Sequence, residues 1–262
     1  MFPAPATSIA SVWRRAGTAA AQRLPLFLAA SLALAGTNVM LWTMGVYDGA
    51  SRAEIGGGAL AAFLLVKVVI LLGWALASIR LAHDPERAAG ELLKIDRRQA
   101  GWIAGMLLLL PVMLGLRIVL TQAAGAVLGP LGADPKATLA AGLVLYLVLS
   151  LFVLVRILPG WAGVLIGDRE AGLGWSWAAT RGSVLRSIGL VLAAVVPMGA
   201  VHFGNNLLWV PDVPALRAAT LLADGAIMAL YVLVAASAYV TLYHRAKAKA
   251  AAPAPRMALA AA

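Results

Sequence analysis

Six stretches of apolar residues, at about 24–47, 57–79, 102–124, 138–158, 187–209 and 218–243, alternate with short segments in which charged residues, glycine and proline concentrate. Each stretch reaches or exceeds the roughly 20 residues that a helix rising 1.5 Å per residue needs to cross a hydrocarbon core of about 30 Å. The pattern therefore predicts an all-α chain: a polytopic transmembrane helical bundle of six spans. Around the six-helix domain (24–243) lie an N-terminal arm (1–23) and a basic tail (244–262), the tail expected to be disordered.

The connecting segments carry their own signals. Arg14 and Arg15 fall on a weakly amphipathic stretch of the arm, which suggests a segment lying on the membrane surface. Arg23 followed by an apolar run with Ala33 and Ala35 two apart has the form of a secretory signal, but the run continues to Val46, so an uncleaved helix is expected. Asp84-Pro85 reads as a helix start, with Ala88, Ala89, Leu92 and Leu93 on one face and Arg87, Glu91, Lys94 and Arg98 on the other. This predicts a short amphipathic helix in the cytoplasmic interface, with a solvated connector between spans as the alternative. Pro111 falls inside the third span, where it removes one backbone donor and predicts a kink. Gly101/Gly105, Gly125/Gly129 and Gly163/Gly167 are four-residue pairs that would permit close helix packing.

Composition agrees with a bilayer as the main solvent. The 262 residues are 62% hydrophobic and 12% charged, about half the charged share of a soluble domain. The net charge of +10 would suggest nucleic acid in a soluble protein, but its placement says otherwise. Sixteen lysines and arginines fall in the arm, the second and fourth loops and the tail. Three, namely Arg52, Lys136 and Arg217, fall in the alternate loops. The positive-inside rule then puts both termini in the cytoplasm, with anionic lipid rather than nucleic acid as the partner of the basic face. With no cysteine, disulfides, thiolate metal sites and cysteine nucleophiles are excluded.

The fourth loop, from Arg156 to Arg186, holds four arginines and the closely spaced Trp175 and Trp177. Arg156 is expected to snorkel from the end of the fourth span, Pro159 to end that helix, Leu173–Arg181 to form two helical turns at headgroup level, and Gly182 to stop them before a Ser183 cap. The pattern R-x-x-x-P followed by W-x-x-T-R-G, here Arg156, Pro159, Trp177, Thr180, Arg181 and Gly182, resembles an element of bacterial six-helix membrane proteins. It is similar to the membrane domain attached to some glycerophosphodiester phosphodiesterases. The resemblance covers about 30 residues and implies a membrane module with a cytoplasmic helix-loop-helix. The soluble phosphodiesterase domain has no counterpart in this sequence, so no catalytic residue carries over.

No nucleotide-binding, zincin or serine-hydrolase motif is present, and His83, His202 and His244 are far apart, so no catalytic residue, metal or cofactor is predicted. The informative residues are ionisable groups inside spans. Lys67, Arg117 and Asp224 each cost about 2.5–3.5 kcal/mol at mid-depth, and so should face protein or water. Counted along their helices they share one layer with His202, Asn205 and Asn206. Two readings follow. One is an outer-leaflet polar cavity with surplus positive charge that binds a small anion or a lipid headgroup in a transporter or permease component. The other is an Arg117–Asp224 ion pair that fixes helix packing in a non-catalytic module, which associates with lipid, a membrane-protein partner or a second copy of itself.

Overall fold

The computed structural model describes residues 8–45, 57–207 and 213–251, and the side chains of Leu110, Asn206 and Leu207 fall outside that description. The expectations placed on Val46, Arg52 and residues 252–262 also lie outside the described residues. Within it the chain forms eight α-helices and no strand. They are α1 (Ile9–Gln22), α2 (Leu24–Thr43), α3 (Gly57–His83), α4 (Arg97–Leu128), α5 (Pro135–Ile166), α6 (Leu173–Ala179), α7 (Val184–Leu207) and α8 (Pro214–Ala251). Six of these, all but α1 and α6, are long and apolar enough to cross a membrane. Leu108, Val112, Leu114, Ile118, Val119 and Val127 of α4 are all exposed. A row of exposed large aliphatic side chains is stable where lipid or a partner surface replaces water.

Capping explains most of the helix ends. Ser8 accepts the Ser11 N–H at 3.2 Å and opens α1. Asp96 opens α4 through a capping box, taking the Gln99 N–H at 2.7 Å while the Gln99 side chain takes the Asp96 N–H at 3.1 Å. Asp134 with Pro135 at the first helical position opens α5. Gly167, at φ 99°, ends it in the left-handed region that glycine tolerates.

Four expectations are corrected here. Pro159 lies inside α5, which continues seven residues further to Ile166. The tail is helical to Ala251 rather than disordered from residue 244. The helix expected from Asp84 is a single 3-10 turn, Ala89–Glu91, with Leu92 buried and Leu93 exposed rather than on a common face. The reason is local: Asp84 accepts the Glu86 N–H two residues on, a turn rather than a helical cap, and Arg23 takes the carbonyls of Pro85, Glu86 and Arg87. A helix would need those acceptors. The glycines that set close packing are also different from the spaced pairs, apart from Gly163. A Cβ on Gly142 would come within 2.7 Å of Thr121 Cα, and one on Gly225 within 2.6 Å of the Ala35 nitrogen.

The chain divides into two compact units. Among the described residues one comprises 8–94 and 189–241, the other 95–188 and 242–251. In the first, the core is built from Leu34, Trp74, Ile79, Leu81, Leu233 and Val234. Trp74 satisfies its indole by donating Nε1–H to the Ala229 carbonyl at 2.8 Å. The amphipathic α1 packs Val12, Ala16 and Ala19 inward, and its Arg15 donates to the Ala82 carbonyl at 2.7 Å. In the second unit the buried layer is Val155, Leu158, Ala162, Val164, Leu165 and Ala171.

Candidate functional site

In the first unit, Ser31, Ala35 and Asn38 share a buried stripe of α2. Gly225 lets α8 approach that stripe at backbone distance, so that the neighbouring Asp224 reaches Asn38. Asn38 Nδ2 donates to Asp224 Oδ2 at 2.8 Å, and Lys67 Nζ donates to Asn38 Oδ1 at 2.8 Å. An ammonium can only donate and a carboxylate can only accept, so the carboxamide joins the two charges with its oxygen toward Lys67 and its nitrogen toward Asp224. His202 Nδ1 lies 2.6 Å from Asp224 Oδ1. Asn205 donates to the Thr220 carbonyl at 3.1 Å and ties α7 to α8 beside this cluster.

The structure thus brings together Lys67, His202, Asn205 and Asp224, and adds Asn38, which the sequence reading did not single out. The signal for it was its place seven residues after Ser31 on one helical face. Arg117 belongs to the other unit and its side chain is exposed, while Asp224, the carboxylate expected to pair with it, is held by Asn38 and His202. The side chain of Asn206 lies outside the described residues.

In the second unit the fourth-loop motif folds into a corner. Pro159 cannot supply a backbone N–H, and the Ser176 hydroxyl stands at that break. It takes the Gly160 N–H at 2.9 Å and donates to the Arg156 carbonyl at 2.5 Å, bridging the donor and acceptor of the next helical rung. Gly160 is required for the approach, since a Cβ there would lie 2.7 Å from the Gly172 oxygen and 2.9 Å from Ser176 Cβ. Thr180 donates its hydroxyl to the Ser176 carbonyl at 2.8 Å, and Gly182 turns the chain at φ 75°. Arg156 does not snorkel freely. Its guanidinium lies 4.9 Å from the Phe152 ring centre and 4.4 Å from that of Trp177. Trp175 packs on Tyr243 at 5.8 Å.

The loop between α5 and α6 is held from both sides. Arg98 donates to the carbonyls of Asp168 and Ala171, and the Gln99 amide donates to those of Val164 and Leu165. The Asp168 carboxylate accepts the Tyr243 hydroxyl at 2.6 Å and the Lys247 ammonium at 2.9 Å. Lys247 also reaches Glu170 at 2.6 Å. Burial pushes the Asp168 carboxyl up, but the bonds from Tyr243, Lys247 and the Glu170 N–H outweigh it and hold it down to about 2.

Two apolar grooves meet at Ile157 and Leu173 in this unit. One, of about 500 Å³, runs along Trp102, Met106 and Leu109 under Arg97 and Arg98. The other, of about 600 Å³, runs beside Trp177 and Arg181. Comparison of the chain with protein-family models, with curated proteins and with solved structures finds no match.

Proposed function

We propose that this chain is a non-catalytic integral membrane module of a bacterial inner membrane, with both termini cytoplasmic, which associates with anionic phospholipid through the face that carries the Arg156–Gly182 corner. The observation that supports this reading most directly is the pair of grooves meeting at Ile157 and Leu173. Each is apolar along its length, like an acyl chain, and each is bordered by arginine and tryptophan, the side chains that suit phosphate and the headgroup layer. The motif shared with the phosphodiesterase-linked membrane domains is, on this reading, the corner that holds α6 and its grooves in register.

The polar chain Lys67–Asn38–Asp224–His202, buried at Asn38 and Asp224, supports a second reading, a transporter or permease component, because the His202 side chain is 36% exposed and so carries the chain to a surface. It is the weaker of the two. Lys67 is neutralised by Asp224 through one amide, which removes most of the surplus positive charge that an anion cavity would need.

The test is purification in mild detergent from membranes that contain both zwitterionic and anionic phospholipid, followed by mass spectrometry of what stays bound. Enrichment of anionic lipid over the bulk membrane is expected. Retained lipid that merely mirrors the bulk composition would count against the lipid reading, and a stoichiometric companion protein would shift it toward a partner module.

A further inference from the structure

We infer that the second unit holds a discrete phosphate-headgroup site between the first turn of α7 and the last turns of α8. This rests on the lipid reading above and names the chemistry of one position on that face. A cavity of about 290 Å³ opens there, about ten times the ~30 Å³ share of a single water. Arg186, Arg245 and Lys249 line it together with the hydroxyl-bearing Thr180, Ser183 and Ser187. No carboxylate lines it among the described residues.

Three cations with no acid between them repel one another, and an anion bound among them would relieve that repulsion. The cations come from two helices, Arg186 from α7 and Arg245 and Lys249 from α8. Lys249 is already fixed, since its ammonium donates to the carbonyls of Ala179 and Arg181 at the end of α6. Thr180 and Ser187 are buried at the floor, Arg245 is half-buried and Arg186 is exposed at the mouth. The Gly182 turn, at φ 75°, brings Ser183 and the start of α7, with Arg186 and Ser187, to the same cavity. A carboxylate has two oxygens to offer. A phosphate carries four oxygens arranged tetrahedrally, of which a monoester leaves three unesterified and a diester two, with the ester oxygens as further weak acceptors, and guanidinium forks from two directions with an ammonium suit that geometry. Leu242 and Pro159 give the pocket an apolar side, suited to the glycerol end of a phospholipid or to a small soluble phosphate ester.

Full-length wild type and Arg186→Gln/Arg245→Gln are compared in two arms. In nanodiscs containing a minor fraction of phosphatidylglycerol, native mass spectrometry counts retained anionic lipid. In nanodiscs of phosphatidylcholine alone, calorimetry measures binding of glycerol 3-phosphate. The variant is expected to lose one tightly held phosphatidylglycerol while keeping the rest. If soluble ester is the natural occupant, the variant instead binds it about tenfold or more weakly for each guanidinium removed. Arg186→Lys/Arg245→Lys, which keeps the charge, restores most of the binding. Equal behaviour of wild type and the glutamine variant in both arms overturns the site even if both retain anionic lipid, in which case the wider reading survives without it. Wild type that binds the soluble ester through these arginines but retains no anionic lipid sinks the wider reading and leaves the site standing. Loss of binding in both double variants, together with a changed thermal unfolding profile, assigns the effect to misfolding and also overturns the site.

Discussion

Asp168 shows how one side chain can hold a loop that has no regular structure. Its carboxylate accepts from Tyr243 and Lys247, its carbonyl accepts from Arg98, and its Oδ1 takes the Glu170 N–H at 2.9 Å. With the carboxyl held at about 2, below its ordinary 3.8, the folded state binds the proton more weakly than the unfolded chain does. The stabilisation is therefore fully present above about pH 4 and is lost as pH falls through about 2. Asp168→Asn is expected to lower the unfolding temperature at pH 7 by a few degrees, ~2–4 °C, in detergent-solubilised protein followed by tryptophan fluorescence. The gap between variant and wild type should close as pH is brought from 4 toward 2. A gap of constant size down to pH 2 would mean that the residue acts through packing rather than through its charge. None of this was legible in the sequence. Asp168 stands in the stretch that drew attention, but its partners are 75 and 79 positions away, and no local pattern encodes such a distance.

Among the elements, the membrane helices could be read from apolar runs because bilayer thickness fixes a minimum length, whereas their ends could not. Pro159 illustrates why. A proline ends a helix when nothing replaces the hydrogen bonds it disrupts, and here Ser176 supplies both a donor and an acceptor from the next helix. The two tryptophans attracted notice, while the serine between them carries the corner. Ser176→Ala would leave the Gly160 N–H and the Arg156 carbonyl unsatisfied at a buried site, a loss of about 1–3 kcal/mol. It should also free Trp177 from the Arg156 guanidinium, because α6 is positioned by that serine. Denaturant unfolding of Ser176→Ala and of Gly163→Ala, whose new Cβ would lie 2.5 Å from Ala171 Cβ, tests whether the corner is held in this way. The second substitution overpacks the same corner and should cost about 1–3 kcal/mol. Neutral behaviour in both would show that α6 is anchored elsewhere. In the other unit the polar layer was partly legible: Lys67, His202, Asn205 and Asp224 do converge. Arg117 shares their depth along its helix, but depth alone does not fix a partner, and the carboxylate expected to meet it is taken by Asn38 and His202.

For the whole molecule, the decisive quantity is the placement of fixed charge relative to the crossings. α4 and α5 form an antiparallel pair joined at residues 129–134. The start of α4 meets the end of α5 through Arg98 and Gln99, so the Leu131 turn and the Arg156–Gly182 corner stand at opposite ends of the pair. Sixteen cations lie in the arm, the second and fourth loops and the tail, against three in the alternate loops, with anionic lipid and the membrane potential both favouring the richer set inside. The absence of cysteine makes this testable without altering any charge. Leu131→Cys and Ala178→Cys each introduce one thiol at an exposed position. On intact cells a membrane-impermeant maleimide is expected to label Leu131→Cys at once, and Ala178→Cys only after permeabilisation. The reverse pattern would put the α6 corner, its grooves and the proposed phosphate site outside the cell, where the leaflet presents fewer anionic lipids to the cytoplasmic-type cation cluster. The lipid reading would then lose its electrostatic basis, because a basic face turned away from the negative interior cannot be explained by attraction to the inner leaflet. Labelling of both positions in intact cells would mean that the pair does not cross, and the exposed aliphatic row of α4 would then require a protein partner in place of lipid.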